Sequence, residues 1–92
     1  MQIIRDKVYI NNLDTIIDFI AQDSLNKAIN FLNELDHKIH NLTTMPYKFR
    51  SSYYYNNENV RDLIFKGYTI PYLVNSKNNT IVILDIFKWV NR

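Results

Sequence analysis

Residues 59–87 constrain the fold more tightly than any other part of the chain. The segments 60–66 and 68–74 are rich in β-branched and aromatic residues and are parted by Gly67, the only glycine of the sequence. A third run of the same kind, 80–87, follows Asn78 and Asn79. Glycine takes positive φ without steric cost and asparagine tolerates it, so two tight turns should join three consecutive strands. A three-stranded antiparallel meander is therefore expected over 60–66, 68–74 and 80–87. Pro71 falls inside the second strand. Proline has no amide hydrogen to give to a ladder, so that strand needs either a free edge or a bulge at this position.

The preceding residues read as helices. Ile3 and Ile4 between polar neighbours suggest a short first strand, and Asp6 offers a side-chain oxygen to cap a first helix. Leu13, Ile16, Ile17 and Ile20 then recur at helical spacing, one apolar stripe reaching about Ala21. Asp23 and Ser24 interrupt it and can cap a second helix, in which Ala28, Leu32, Leu35, Ile39 and Leu42 form a narrow seam. Pro46 should end that helix, because it disfavours helical geometry in the residue before it. A loop is expected over 47–57, holding Tyr53, Tyr54 and Tyr55 in a row. Such a run more commonly packs beneath its loop than stacks on a ligand. The whole is one α+β domain, residues 1–92: an N-terminal strand, an antiparallel helix hairpin on one face of the sheet, and the meander.

Composition narrows the chemistry. With 92 residues and no cysteine, the chain must be held by packing alone, without disulfides or thiolate metal sites. Its apolar runs fall far short of the roughly 20 residues that span a bilayer. The start Met-Gln-Ile-Ile-Arg-Asp lacks the basic and apolar regions of a signal peptide, so a cytoplasmic protein with no membrane partner is expected. Residues 1–45 carry four Lys/Arg against six Asp/Glu, net −2, and residues 46–92 carry seven against three, net +4. The strand-rich half is thus the basic one, suited to phosphates or to an acidic protein surface.

A single glycine cannot build a phosphate-cradling loop, and Ser24, Ser51, Ser52 and Ser76 lack a nucleophile-elbow context. His37 and His40 lie three apart on the second helix, but no third ligand accompanies them, so neither a metal nor another cofactor is expected. What remains is a set of cations on or near the sheet, Arg61, Lys66, Lys88 and Arg92, with Tyr68, Tyr72, Phe87 and Trp89 close by in sequence. Cations among aromatics can hold a nucleic-acid backbone and stack a base, or stabilise a phosphoryl-transfer transition state. Arg61 and Lys66 are an odd number apart, so one regular strand would turn them to opposite faces.

In order, these segments resemble the RelE/ParE superfamily of toxin-antitoxin toxins. Ile3-Ile4 is similar to its first strand, Ile16-Ile17-Asp18-Phe19-Ile20-Ala21 to the close of its first helix, and Ser24, Ala28 and Phe31-Leu32 to the start of its second. Pro46 falls where that family commonly ends the second helix. Val60-Arg61-Asp62-Leu63 with Gly67-Tyr68 resembles the ParE-like form of the motif, and Ile81-Val82-Ile83-Leu84 the last strand.

The resemblance implies a growth-inhibiting toxin, associated with plasmid stabilisation, whose active surface is covered by a cognate antitoxin. RelE-like members cleave mRNA on the ribosome without metal, whereas ParE-like members poison DNA gyrase and have no such catalytic set. Fold alone does not choose between an enzyme and an inhibitor. Two departures bear on the choice. Thr69 stands where an arginine commonly follows the glycine-tyrosine pair. After Phe87 the chain runs Lys88-Trp89-Val90-Asn91-Arg92, where many members continue with His or Lys, glycine and consecutive arginines, and no C-terminal tyrosine is left. Arg61, Lys88 and Arg92 remain as candidate catalytic cations. One missing transition-state contact costs on the order of 100-fold in rate, so a ParE-like inhibitor is favoured. A RelE-type endoribonuclease and a non-toxic module that retains antitoxin binding are the alternatives.

Overall fold

The computed structural model describes residues 1–88; Trp89 and Arg92 lie outside them. The chain runs β1 (Gln2–Arg5), α1 (Lys7–Asp23), α2 (Leu25–Asn41), β2 (Val60–Phe65), β3 (Tyr68–Asn75), β4 (Thr80–Ile83) and β5 (Phe87–Lys88). This is the expected α+β order. Asp6 caps α1, its carboxylate accepting from the Val8 amide at 2.9 Å. One residue joins the helices: the Ser24 amide closes α1 on the Ile20 carbonyl, and its hydroxyl accepts from the Lys27 amide to start α2. Ser24 is extended, φ −159°, and an extended residue between two helices turns the chain sharply into a hairpin.

α2 ends at Asn41, short of Pro46. The reason is local. Leu42, Thr43 and Thr44 each donate to the carbonyl three residues back, tightening the last turn, and the Thr43 hydroxyl takes the His40 carbonyl at 2.9 Å. A threonine side chain that bonds the backbone competes with helix continuation.

The sheet is ordered β1-β4-β3-β2, with β1 parallel to β4 and the meander antiparallel. Lys66 and Gly67 both have positive φ, 49° and 83°, forming a two-residue hairpin turn. Asn79, φ 53°, fills the same role between β3 and β4. The third strand is broken where a single run 80–87 was expected. Tyr72 faces Ile83 and Thr69 faces Phe87, so Ile70 and Pro71 oppose three residues, Leu84, Asp85 and Ile86. That extra residue is a bulge. The Asp62 amide points away from β3, to the Arg50 carbonyl, so Asp62 and Pro71 form a pair without ladder bonds and the Pro71 nitrogen faces the bulge. The proline therefore sits where no donor is required, and its carbonyl still accepts from Leu84 at 2.9 Å. One Asp85 oxygen anchors the bulge, accepting from the Ile86 amide and the Asn12 side chain, both at 2.7 Å.

Alternation along the strands separates two faces. Leu63, Phe65, Ile70, Tyr72, Val74, Ile81 and Ile83 pack with Phe31, Leu35 and Ile39 of α2 and with Tyr9 of α1. The expected stripe of α1 packs against the core, and in α2 Ala28, Leu35, Ile39 and Leu42 turn inward as expected, but Phe31 and not Leu32 completes the seam, and Tyr9 adds a core residue from the first turns of α1. Asp62, Thr69 and Pro71 lie on the other face and are buried too, under residues of the 50–56 loop and Phe87. A strand covered on both sides explains why residues 69–72 are buried without interruption.

Candidate functional site

The loop between α2 and β2 is tied to the sheet from both sides. Residues 50–52 run beside the edge of β2, with Ser51 opposite Arg61, the Asp62 amide on the Arg50 carbonyl and the Ser52 amide on the Val60 carbonyl. On the helix side, the Tyr72 hydroxyl donates to the Pro46 carbonyl at 2.7 Å and the Tyr47 hydroxyl to the Asn59 side chain at 3.1 Å. On the outer face, the Tyr53 amide donates to the buried carboxylate of Asp62 at 3.3 Å, and Tyr54 packs edge-on against Phe87 with ring centroids 4.9 Å apart.

Arg61 belongs to this fastening. Its Nε donates to the Glu58 carbonyl at 3.1 Å, one Nη donates to the Phe49 carbonyl at 3.0 Å, and the guanidinium lies 4.9 Å from the Tyr47 ring centre. Lys88 is elsewhere. Arg61 is level with Tyr72 on one side of β3, and Lys88 is level with Tyr68 on the other. Four residues along the strand and two strand spacings across it separate their Cα atoms by roughly 17 Å. The described residues do not bring the two cations to one point, and Arg92 lies outside them. Lys66 is in the hairpin turn and pairs with Glu34 at 3.0 Å. His37 and His40 are exposed on α2, and among the described residues no group of His, Cys, Asp or Glu could hold a metal ion.

Two polar residues are buried on the outer face. Thr69 and Asp62 are fully buried there, and one oxygen of each, Thr69 Oγ1 and Asp62 Oδ1, has no hydrogen-bond partner. Burial raises the pKa of the Tyr55 phenol, and the carboxylates of Asp85, Asp62 and Asp6 add to that rise. Carboxylates disfavour a second negative charge nearby, so the surroundings of the Tyr55 phenol do not favour a phosphate.

The profile of the ParE toxin of type II toxin-antitoxin systems, parDE, matches residues 3–88. The chain belongs to this family. No individual curated protein matches it. A chain in the structure of the chromosomal ParDE toxin-antitoxin system from P. aeruginosa superimposes on it with a TM-score of 0.76. That match has 18% identity and covers 98% of this chain and 97% of that one. It shows that the two share a fold.

The ParE-family fold brings forward residues that sequence reasoning passed over. Arg50 is exposed, and its guanidinium lies 3.6 Å from the ring centre of Tyr53, which is 79% exposed. The alternation Tyr47-Lys48-Phe49-Arg50, aromatic and cation in turn, was the available signal. The tyrosine run is divided. Tyr54 and Tyr55 are 38% and 37% exposed and Tyr53 stands clear, so packing beneath the loop accounts for only part of it. The helix hairpin also leaves apolar side chains uncovered, among them Phe19 at 72% and Leu25 at 66% exposed, with Val8, Ile10 and Ile29 near half. Among the described residues no helix is long and apolar enough to cross a membrane.

Proposed function

We propose that this ParE-family toxin inhibits growth from within the cytoplasm by binding an essential protein, DNA gyrase in the ParE-like reading, and that a cognate antitoxin neutralises it. The observation that carries the target reading is the uncharged, buried Thr69 beside the buried carboxylate of Asp62 on the outer face of the sheet. Thr69, at the position where an arginine is common, is buried on the same sheet face as the carboxylate of Asp62 and brings no positive charge to stabilise the charge built up in phosphoryl transfer. Binding to a protein asks for no such charge stabilisation. The uncovered apolar side chains of the hairpin, Phe19 and Leu25 above all, support the antitoxin reading, because large apolar side chains left this exposed are what a partner can cover.

The test is a pulse label of protein and DNA synthesis in the first minutes after the chain is induced without its neighbouring gene. Early failure of DNA synthesis, with amino-acid incorporation continuing, is the expected result. If translation stops first, the ribosome is the target and Arg61, Lys88 and Arg92 become the residues to change. If neither falls, the chain retains binding alone.

A further inference from the structure

Neither side chain of the Arg50–Tyr53 stack hydrogen-bonds to the sheet among the described residues. The loop is fastened through main-chain groups of residues 50–53 and through Arg61, Tyr47 and Tyr72, while the side chains of Arg50 and Tyr53 project outward. A guanidinium 3.6 Å from a ring centre is in stacking contact, which orders an otherwise mobile side chain and leaves the donors at its rim unused. Among the described residues Arg50 forms no ion pair.

We propose that Arg50 and Tyr53 form a contact site for single-stranded nucleic acid. The chemistry rests on the geometry. A base extends the existing Tyr-Arg stack or lies on the exposed tyrosine ring, and the free rim of the guanidinium reaches the adjoining phosphate. An acidic side chain pairs with the charge alone, whereas a nucleotide engages the charge and the ring face together. The site is short. It ends toward Tyr55, where the carboxylates of Asp85, Asp62 and Asp6 do not favour a phosphate. Stacking uses the face that every base has, so the contact is tolerant of sequence.

The test uses the full chain and a fluorescein-labelled oligothymidylate, with binding read by anisotropy at low salt and across a salt series. Binding is expected, and R50A and Y53A should each weaken it about tenfold. R50A should also lower the slope of log affinity against log salt by about 0.7, the share of one phosphate on a single strand. Y53F keeps the ring and should bind as the parent does; R50K keeps the charge but loses the planar stack and should fall with R50A. K77A removes a cation from the turn after β3 and should change little. Absence of binding overturns the proposal, as does a loss in K77A equal to that in R50A, which would mark diffuse attraction. Poly-glutamate binding with the same dependence on Tyr53 would also overturn it, by assigning the site to an acidic protein.

Discussion

Replacing Arg61 by alanine separates a structural role from a catalytic one. The side chain makes two hydrogen bonds from a charged donor, to the carbonyls of Phe49 and Glu58, and stacks on Tyr47. At partial exposure each bond contributes about 1.5 kcal/mol and the stack about 0.5 kcal/mol. These contacts share one side chain and one loop and do not add in full, so the expected loss is about 2–3 kcal/mol. For a chain of this size the melting temperature falls about 5 °C per kcal/mol, which gives a drop of about 10–15 °C. Thermal unfolding followed by far-ultraviolet circular dichroism measures it. R61K keeps the charge without the fork and should recover less than half of the loss. Freed from Phe49 and Glu58, the loop should also be cut faster by chymotrypsin at Tyr53, Tyr54 and Tyr55. An R61A protein that melts within about 2 °C of the parent would refute this reasoning. Arg61 would then be free for work on a substrate.

Leu35, fully buried between helix and sheet, should cost about 3 kcal/mol when changed to alanine, read as a fall in the urea midpoint. Gly67→Ala should cost about 1 kcal/mol through its φ of 83° alone, since an added Cβ meets nothing within 4 Å; a loss as large as that of Leu35→Ala would mean the turn is packed. Burial pushes the phenols of Tyr9 and Tyr72 up to about 12 from an ordinary value of 10.0. The unfolded chain therefore ionises first, so their contribution is intact below pH 10 and is lost between about 10 and 12. Urea midpoints across that range should fall, and less steeply in Y9F; equal slopes in the two proteins would refute the effect of burial.

Much of this protein was determined by local sequence. Asp6 and Ser24 cap their helices because a short acceptor side chain reaches an unpaired amide from wherever the first turn begins. Gly67 and Asn79 mark their turns because few residues accept positive φ. The stripes at helical spacing on α1 and α2 turn to the sheet because burying one face requires it. Together with the ordered motifs, these features made the fold and the family legible. Pro71 announced a defect in the ladder, but only pairing showed that a bulge in the neighbouring strand absorbs it. Arg61 stood out as a cation on a strand, yet its partners are main-chain carbonyls of a loop whose path depends on Tyr72 and the sheet edge. The Arg50–Tyr53 stack and the carboxylates around Tyr55 likewise join residues that no periodicity relates. A cap, a turn or an apolar stripe is set by neighbours within a few residues and can be read along the chain. The direction of a charge and the face of a loop depend on contacts between distant segments, and they exist only once the core has closed.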